Sequence, residues 1–103
     1  MLRHIVLVTF KAEATAGQLE AWRAAAIDMC ETSPEVLSYT LGANIGSGPN
    51  HYDSALVADF SDIEAFRRYV GSPIHKAYVE NHARHVVDRI AAIQHEIRHS
   101  PSG

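Results

Sequence analysis

The stretch Leu2 to Lys11, LRHIVLVTFK, constrains the fold most. Its dense Val and Ile content reads as a β-strand over residues 2–11. Alternation puts His4, Val6, Val8 and Phe10 on one face and Ile5, Leu7 and Thr9 on the other. Both faces are largely apolar, so the strand is expected to be central and covered on both sides. The segment is too short for a membrane span and lacks a small-residue cleavage site, so it is not a signal peptide.

Further elements follow in order. Thr15 with Gln18 three residues on matches a capping box, which predicts a helix to about Thr32. Leu19, Trp22, Ala26, Met29 and Cys30 share its apolar face, and Ser33-Pro34 stops it. Trp22 reads as core or interface. Residues 36–45 form a second strand, with Gly42 as a bulge or close backbone approach. The loop Gly46 to Asn50 lacks a phosphate-binding pattern. Tyr52 to Phe60 is a third strand, with Tyr52, Ser54, Leu56, Ala58 and Phe60 on one face. Ser61-Asp62-Ile63-Glu64 reads as a second capping box, opening a helix to Tyr69 with Ile63, Phe66 and Val70 on its apolar side. Ser72-Pro73 starts another helix, with Ile74, Ala77, Tyr78 and His82 inward. Arg89 to Ile97 is the fourth strand, and His99 to Gly103 a loose tail. Residues 1–98 thus form one domain, and 99–103 the tail.

The order β-α-β-β-α-(α)-β predicts an α+β, ferredoxin-like split βαβ fold: an antiparallel four-stranded sheet with helices on one face. Helices cover only that face, yet both faces carry apolar side chains. A second copy packed sheet on sheet is the economical cover, so a homodimer through the sheet face is expected.

Composition excludes several functions. The net charge of −3, with scattered Lys and Arg, leaves no footprint for nucleic acid or an anionic membrane. A single cysteine, Cys30, excludes an intrachain disulfide and reads as a buried inert thiol. The default location is the cytoplasm. Seven histidines make charge sensitive to pH. His82 and His85 stand at i, i+3, but no nearby carboxylate or cysteine completes a metal motif, so no metal and no cofactor are assigned. Asp53 and Asp59 lie about 20 Å apart along one strand face at about 3.3 Å per residue, too far for a carboxylate dyad. Ser54 has no nucleophile-elbow context.

The corner Tyr69 to His75 is the candidate site. His75 falls in the first turn of its helix, where the positive dipole end favours neutral imidazole, able to act as a base. Tyr69, ending the previous helix, can meet it across the corner. The alternative is a corner in which Tyr69 packs and His75 faces solvent.

Arg3-His4-Ile5-Val6-Leu7, the strand Tyr52 to Phe60, Tyr69 and Pro73-Ile74-His75 occur in one order and spacing. Together they resemble the stress-responsive dimeric A/B barrel (Dabb) domain family, over roughly residues 2–97. The resemblance implies a ferredoxin-like protomer that pairs into a dimeric α+β barrel. Many members have no known activity. Olivetolic acid cyclase-like plant members close a linear polyketide by aldol condensation without a cofactor. By resemblance, His75 matches their catalytic histidine, Tyr69 its supporting tyrosine and His4 a pocket histidine. This chain has Ser54 where a further pocket histidine stands, and His95 in place of an aspartate near the end of the last strand.

The chemistry expected is general acid–base catalysis: His75 takes a proton, and Tyr69 donates to the developing oxyanion or steers the imidazole. His4 holds a substrate carbonyl. Ile5, Leu7, Ser54, Phe66, Tyr78 and Val79 are the candidate substrate-binding residues of a pocket for an apolar small molecule. The reading is a small-molecule-binding protein with cyclase- or lyase-type acid/base activity. The alternatives are a non-catalytic stress-responsive binding or structural protein and, more weakly, an antibiotic-biosynthesis-type monooxygenase.

Overall fold

The computed structural model describes residues 1–98; the tail anticipated at 99–103 lies outside them. The elements are β1 (Leu2–Phe10), α1 (Ala16–Thr32), β2 (Ser38–Ala43), β3 (Ser54–Phe60), α2 (Ile63–Val70), α3 (Pro73–Tyr78), a π-helical turn (Val79–Ala83), α4 (Arg84–Val86) and β4 (Val87–Glu96). The sheet order is β2-β3-β1-β4, with every neighbouring pair antiparallel. β1 is therefore central, hydrogen-bonded on both edges, and the chain has the ferredoxin-like split βαβ arrangement.

Local chemistry sets the helix ends. The Thr15 hydroxyl accepts from the Gln18 amide while the Gln18 side chain accepts from the Thr15 N–H, so the capping box forms in full. At α2 the cap is Asp62 rather than Ser61: its carboxylate accepts from the Ala65 N–H at 2.8 Å. The frame therefore moves by one residue, and α2 buries Ala65 and Tyr69 while Ile63 and Val70 stay exposed. Ser72 caps α3 through the His75 N–H, with Pro73 in the first turn.

β2 starts at Ser38, later than expected, and β3 at Ser54. Gly42 makes no bulge; it pairs in register with Ala55, and its carbonyl accepts from the Ser54 hydroxyl at 2.8 Å. The one irregularity of register lies between Thr9 and Phe10, where β1 meets β4.

The helices cover one sheet face. Leu2, Leu56, Ala58 and Phe60 pack there with Met29, Cys30, Ala65 and Tyr69. Val8 packs with Trp22, Ala26 and Val86. Val6, Leu41 and Tyr78 join the two groups. Burial pushes the Cys30 thiol up to about 11, which keeps it protonated and inert.

The opposite face of the same strands carries Ile5, Leu7, Ala55, Val57 and Ile93. No helix among the described residues lies over it, and Ile93 is 56% exposed. At one end of this face a polar row crosses all four strands, Ser38–Asp59–Arg3–His95. Arg3 donates twice to Asp59, at 2.8 and 3.0 Å, and this fork holds the Asp59 carboxyl below its usual range. No helix among the described residues is long and apolar enough to cross a membrane.

One bond ties α3 to α1: the buried Trp22 indole N–H donates to the Tyr78 hydroxyl at 2.9 Å. Tyr78→Phe removes the acceptor and strands a buried donor. The expected cost is about 1–3 kcal/mol of unfolding free energy, read from urea denaturation; a loss below about 0.5 kcal/mol would show that the bond does not hold α3 in place.

Candidate functional site

Between the helix-side face of β1 and β4 and the run α2–α3–π turn lies a cleft of about 410 Å³. His4, Val6 and Val8 from β1 and Ile90 and Ala92 from β4 form one wall. Tyr69, Val70, His75, Tyr78, Val79 and Ala83 form the other. The volume falls within the range of small-molecule sites. The π-helical turn borders it, a feature frequent beside functional sites.

His75 and Tyr69 do meet across the corner. Their ring centres are 5.0 Å apart at 74°, an edge-to-face arrangement. The Tyr69 hydroxyl does not reach the imidazole; it donates to the Met29 sulfur at 3.5 Å. Tyr69 is 2% exposed, and burial raises its phenol well above the ordinary value. The ring of His75 has no hydrogen-bond partner among the described residues, so both its nitrogens are left to the cleft. Burial lowers its pKa, which favours the neutral ring.

His4 stands on the facing wall, 8% exposed. Its ring lies 4.8 Å from Phe66 and 6.5 Å from Phe60. The Gln94 side-chain amide donates to its Nδ1 at 2.8 Å. Burial, reinforced by repulsion from His75, lowers the His4 pKa to about 4. The cleft thus presents two imidazoles that are neutral at neutral pH.

Of the residues anticipated from sequence, His4, Tyr69, His75, Tyr78 and Val79 share this cleft. Phe66 packs behind His4 without lining it. Ile5 and Leu7 project from the opposite sheet face, because odd-numbered positions of β1 point away from His4. Ser54 is on the helix side but at the far end of β3, bonded to Gly42. His95 belongs to the open face beside Arg3. The residue that the sequence reading missed is Gln94. It pairs directly with His4 across β1 and β4, and only the strand register reveals it.

A buried neutral histidine makes stability depend on pH in a definite direction. The His4 value of about 4 in the fold lies below the roughly 6.5 of the unfolded chain. As pH falls, the unfolded chain takes up the proton first. The contribution is complete above about 6.5 and is lost between there and about 4. From pH 6.5 to 5 the unfolding free energy should drop by up to about 2 kcal/mol, at about 1.4 kcal/mol per pH unit. His4→Gln should flatten the slope in denaturant titrations; an unchanged slope would place the effect elsewhere.

The chain matches the family model of the stress responsive A/B barrel domain over residues 2–97. Among curated proteins no match is found. A dimeric ferredoxin-like protein of unknown function from Thermobifida fusca is 29% identical; the match covers 93% of this chain and 90% of that one, with a TM-score of 0.82. A Dabb family protein from Mesorhizobium loti is 20% identical over 95% and 97% of the two chains, also at 0.82. The hydroxynitrile lyase of Passiflora edulis superposes with a TM-score of 0.85 at 17% identity, over 96% and 94%. The extent of the family match, with the strand order and the helix-covered face, leads to one conclusion: the chain belongs to the stress responsive A/B barrel domain family.

Proposed function

We propose that the protein is a homodimeric small-molecule-binding protein whose cleft is a cofactor-independent acid/base site of the lyase or cyclase type. The observation that carries this reading is the pair of neutral imidazoles, His75 and His4, on facing walls of one apolar cleft. A histidine with both ring nitrogens unpaired in an apolar site is suited to take a proton and return it. In the lyase direction His75 removes the proton from a ligand hydroxyl. The oxygen becomes a carbonyl, the adjacent C–C bond breaks, and the departing carbanion takes the proton back from His75. In the condensing direction His75 takes a proton from carbon beside a carbonyl, the resulting enolate carbon bonds to a second carbonyl carbon as that C=O π bond opens, and the alkoxide formed takes the proton back from His75. In both, His4 donates to the oxygen that gains or loses charge. Tyr69 positions the imidazole through its ring edge, since its hydroxyl is engaged by Met29. The likeness to the Passiflora edulis hydroxynitrile lyase supports the lyase direction.

The dimer is proposed to form through the open sheet face, with Ile5, Leu7, Val57 and Ile93 packed against their counterparts. The likeness to a Thermobifida fusca protein described as dimeric supports self-association. In sedimentation the chain should run at twice its 11.3 kDa, and Val57→Lys should shift it to monomer. Dimers that persist in that variant would move the interface elsewhere.

Turnover is to be sought by cyanide release from aromatic hydroxynitriles and by absorbance changes of linear polyketones. His75→Ala should lower any turnover found by about 100-fold or more, the usual contribution of a general base, while sedimentation stays unchanged. Tyr69→Phe should cost less than about tenfold, because the lost hydroxyl faces sulfur. Turnover unaffected by His75→Ala would sink the acid/base reading. Binding without turnover of any substrate tried would favour the non-catalytic one.

A further inference from the structure

We propose that Gln94 is a positioning residue that holds His4 as its Nε2–H tautomer, making His4 the hydrogen-bond donor to a ligand carbonyl and leaving proton abstraction to His75 alone. The assignment to a ligand rests on the acid/base reading of the cleft; the tautomer itself does not.

Register supplies the first step. Gln94 and His4 are direct partners across the β1–β4 ladder, so the backbone sets their separation. The Gln94 amide nitrogen lies 2.8 Å from Nδ1 of His4. An amide nitrogen has only hydrogens to offer, so Nδ1 must present its lone pair. A neutral imidazole carries one N–H, and it is then on Nε2.

Burial supplies the second step. His4 is 8% exposed and packed against Phe60 and Phe66, a setting that excludes a second proton. The Nε2–H has no acceptor among the described residues. Yet the only completely buried side-chain polar atom left without a partner there is Ser33 Oγ. The space that His4 borders is the cleft. The donor is free and fixed in direction. His75 carries no comparable partner, so its tautomers are free to interchange, as a base that gives and takes protons requires.

The test is ¹⁵N NMR of the histidine ring nitrogens in the full chain at neutral pH. Wild type should show His4 Nδ1 as unprotonated nitrogen and Nε2 as protonated. In Gln94→Glu the carboxylate only accepts, so the proton should move to Nδ1. In Gln94→Met, of similar length without a polar group, the two tautomers should mix. Acetophenone, an apolar aryl ketone, serves as the binding probe. It should shift the His4 Nε2 resonance in wild type and bind about tenfold more weakly to Gln94→Glu, the loss of roughly one hydrogen bond. An Nδ1–H tautomer in wild type, or a wild-type pattern retained in both variants, would overturn the positioning role. The expected tautomers with acetophenone binding equally to wild type and Gln94→Glu would overturn the donor role. Absence of turnover on any substrate bears on the catalytic reading and leaves both of these results standing.

Discussion

The position of β1 in the middle of the sheet is the constraint on which the rest depends. Both of its edges are hydrogen-bonded, to β3 and to β4, and both of its faces are apolar. Because side chains alternate strictly, one strand performs two separate tasks. Its even positions, from Leu2 to Val8, build the helix-side core and deliver His4 to the cleft. Its odd positions, Ile5 and Leu7, build a surface that the chain's own helices do not reach. A slip of one residue would exchange the two sets, put Arg3 into the core and remove His4 from the cleft. The Arg3–Asp59 fork opposes such a slip, since its two bonds form only when these residues face each other.

The same placement explains the electrostatics of the site. His4 is surrounded by the ring of Phe66 and the buried strand, with no carboxylate paired to it. Desolvation therefore goes uncompensated, and the neutral form prevails. The nearby His75 adds repulsion in the same sense, so two histidines together resist charging more than either alone. The His75 shift is downward as well, and its cause is burial.

Much of this was legible in the chain before the fold. The element order, the Thr15–Gln18 capping box and the Ser72-Pro73 start of α3 are local signals that tertiary packing did not override. The meeting of Tyr69 with His75 was legible because the two flank one short turn. What escaped was either ambiguous or non-local. Ser61 and Asp62 are both competent caps, and the fold uses Asp62, while packing on Met29 and Phe60 turns Ala65 and Tyr69 inward. Ile5 and Leu7 were assigned to the pocket on hydrophobicity, although the alternation that places His4 there already turns them away. Gln94 was invisible for another reason. Its partner is 90 residues distant, and no periodicity in β4 reveals which residue of β1 it will face.

The two walls of the cleft differ in how firmly they are held. The sheet wall is fixed by paired strands along its length, so His4 and Gln94 have little freedom to move apart. The helical wall is held instead by side-chain packing and isolated bonds: Tyr69, Tyr78 and Val86 sit in the core, and the Ser72 cap, the Trp22–Tyr78 bond and the bond from the Lys11 N–H to the Val86 carbonyl tie it down. Val79 stays partly exposed on it, and the backbone widens into a π turn just beyond Tyr78. Any adjustment of the cleft is therefore expected on the side that carries His75, while His4 on the sheet stays in place.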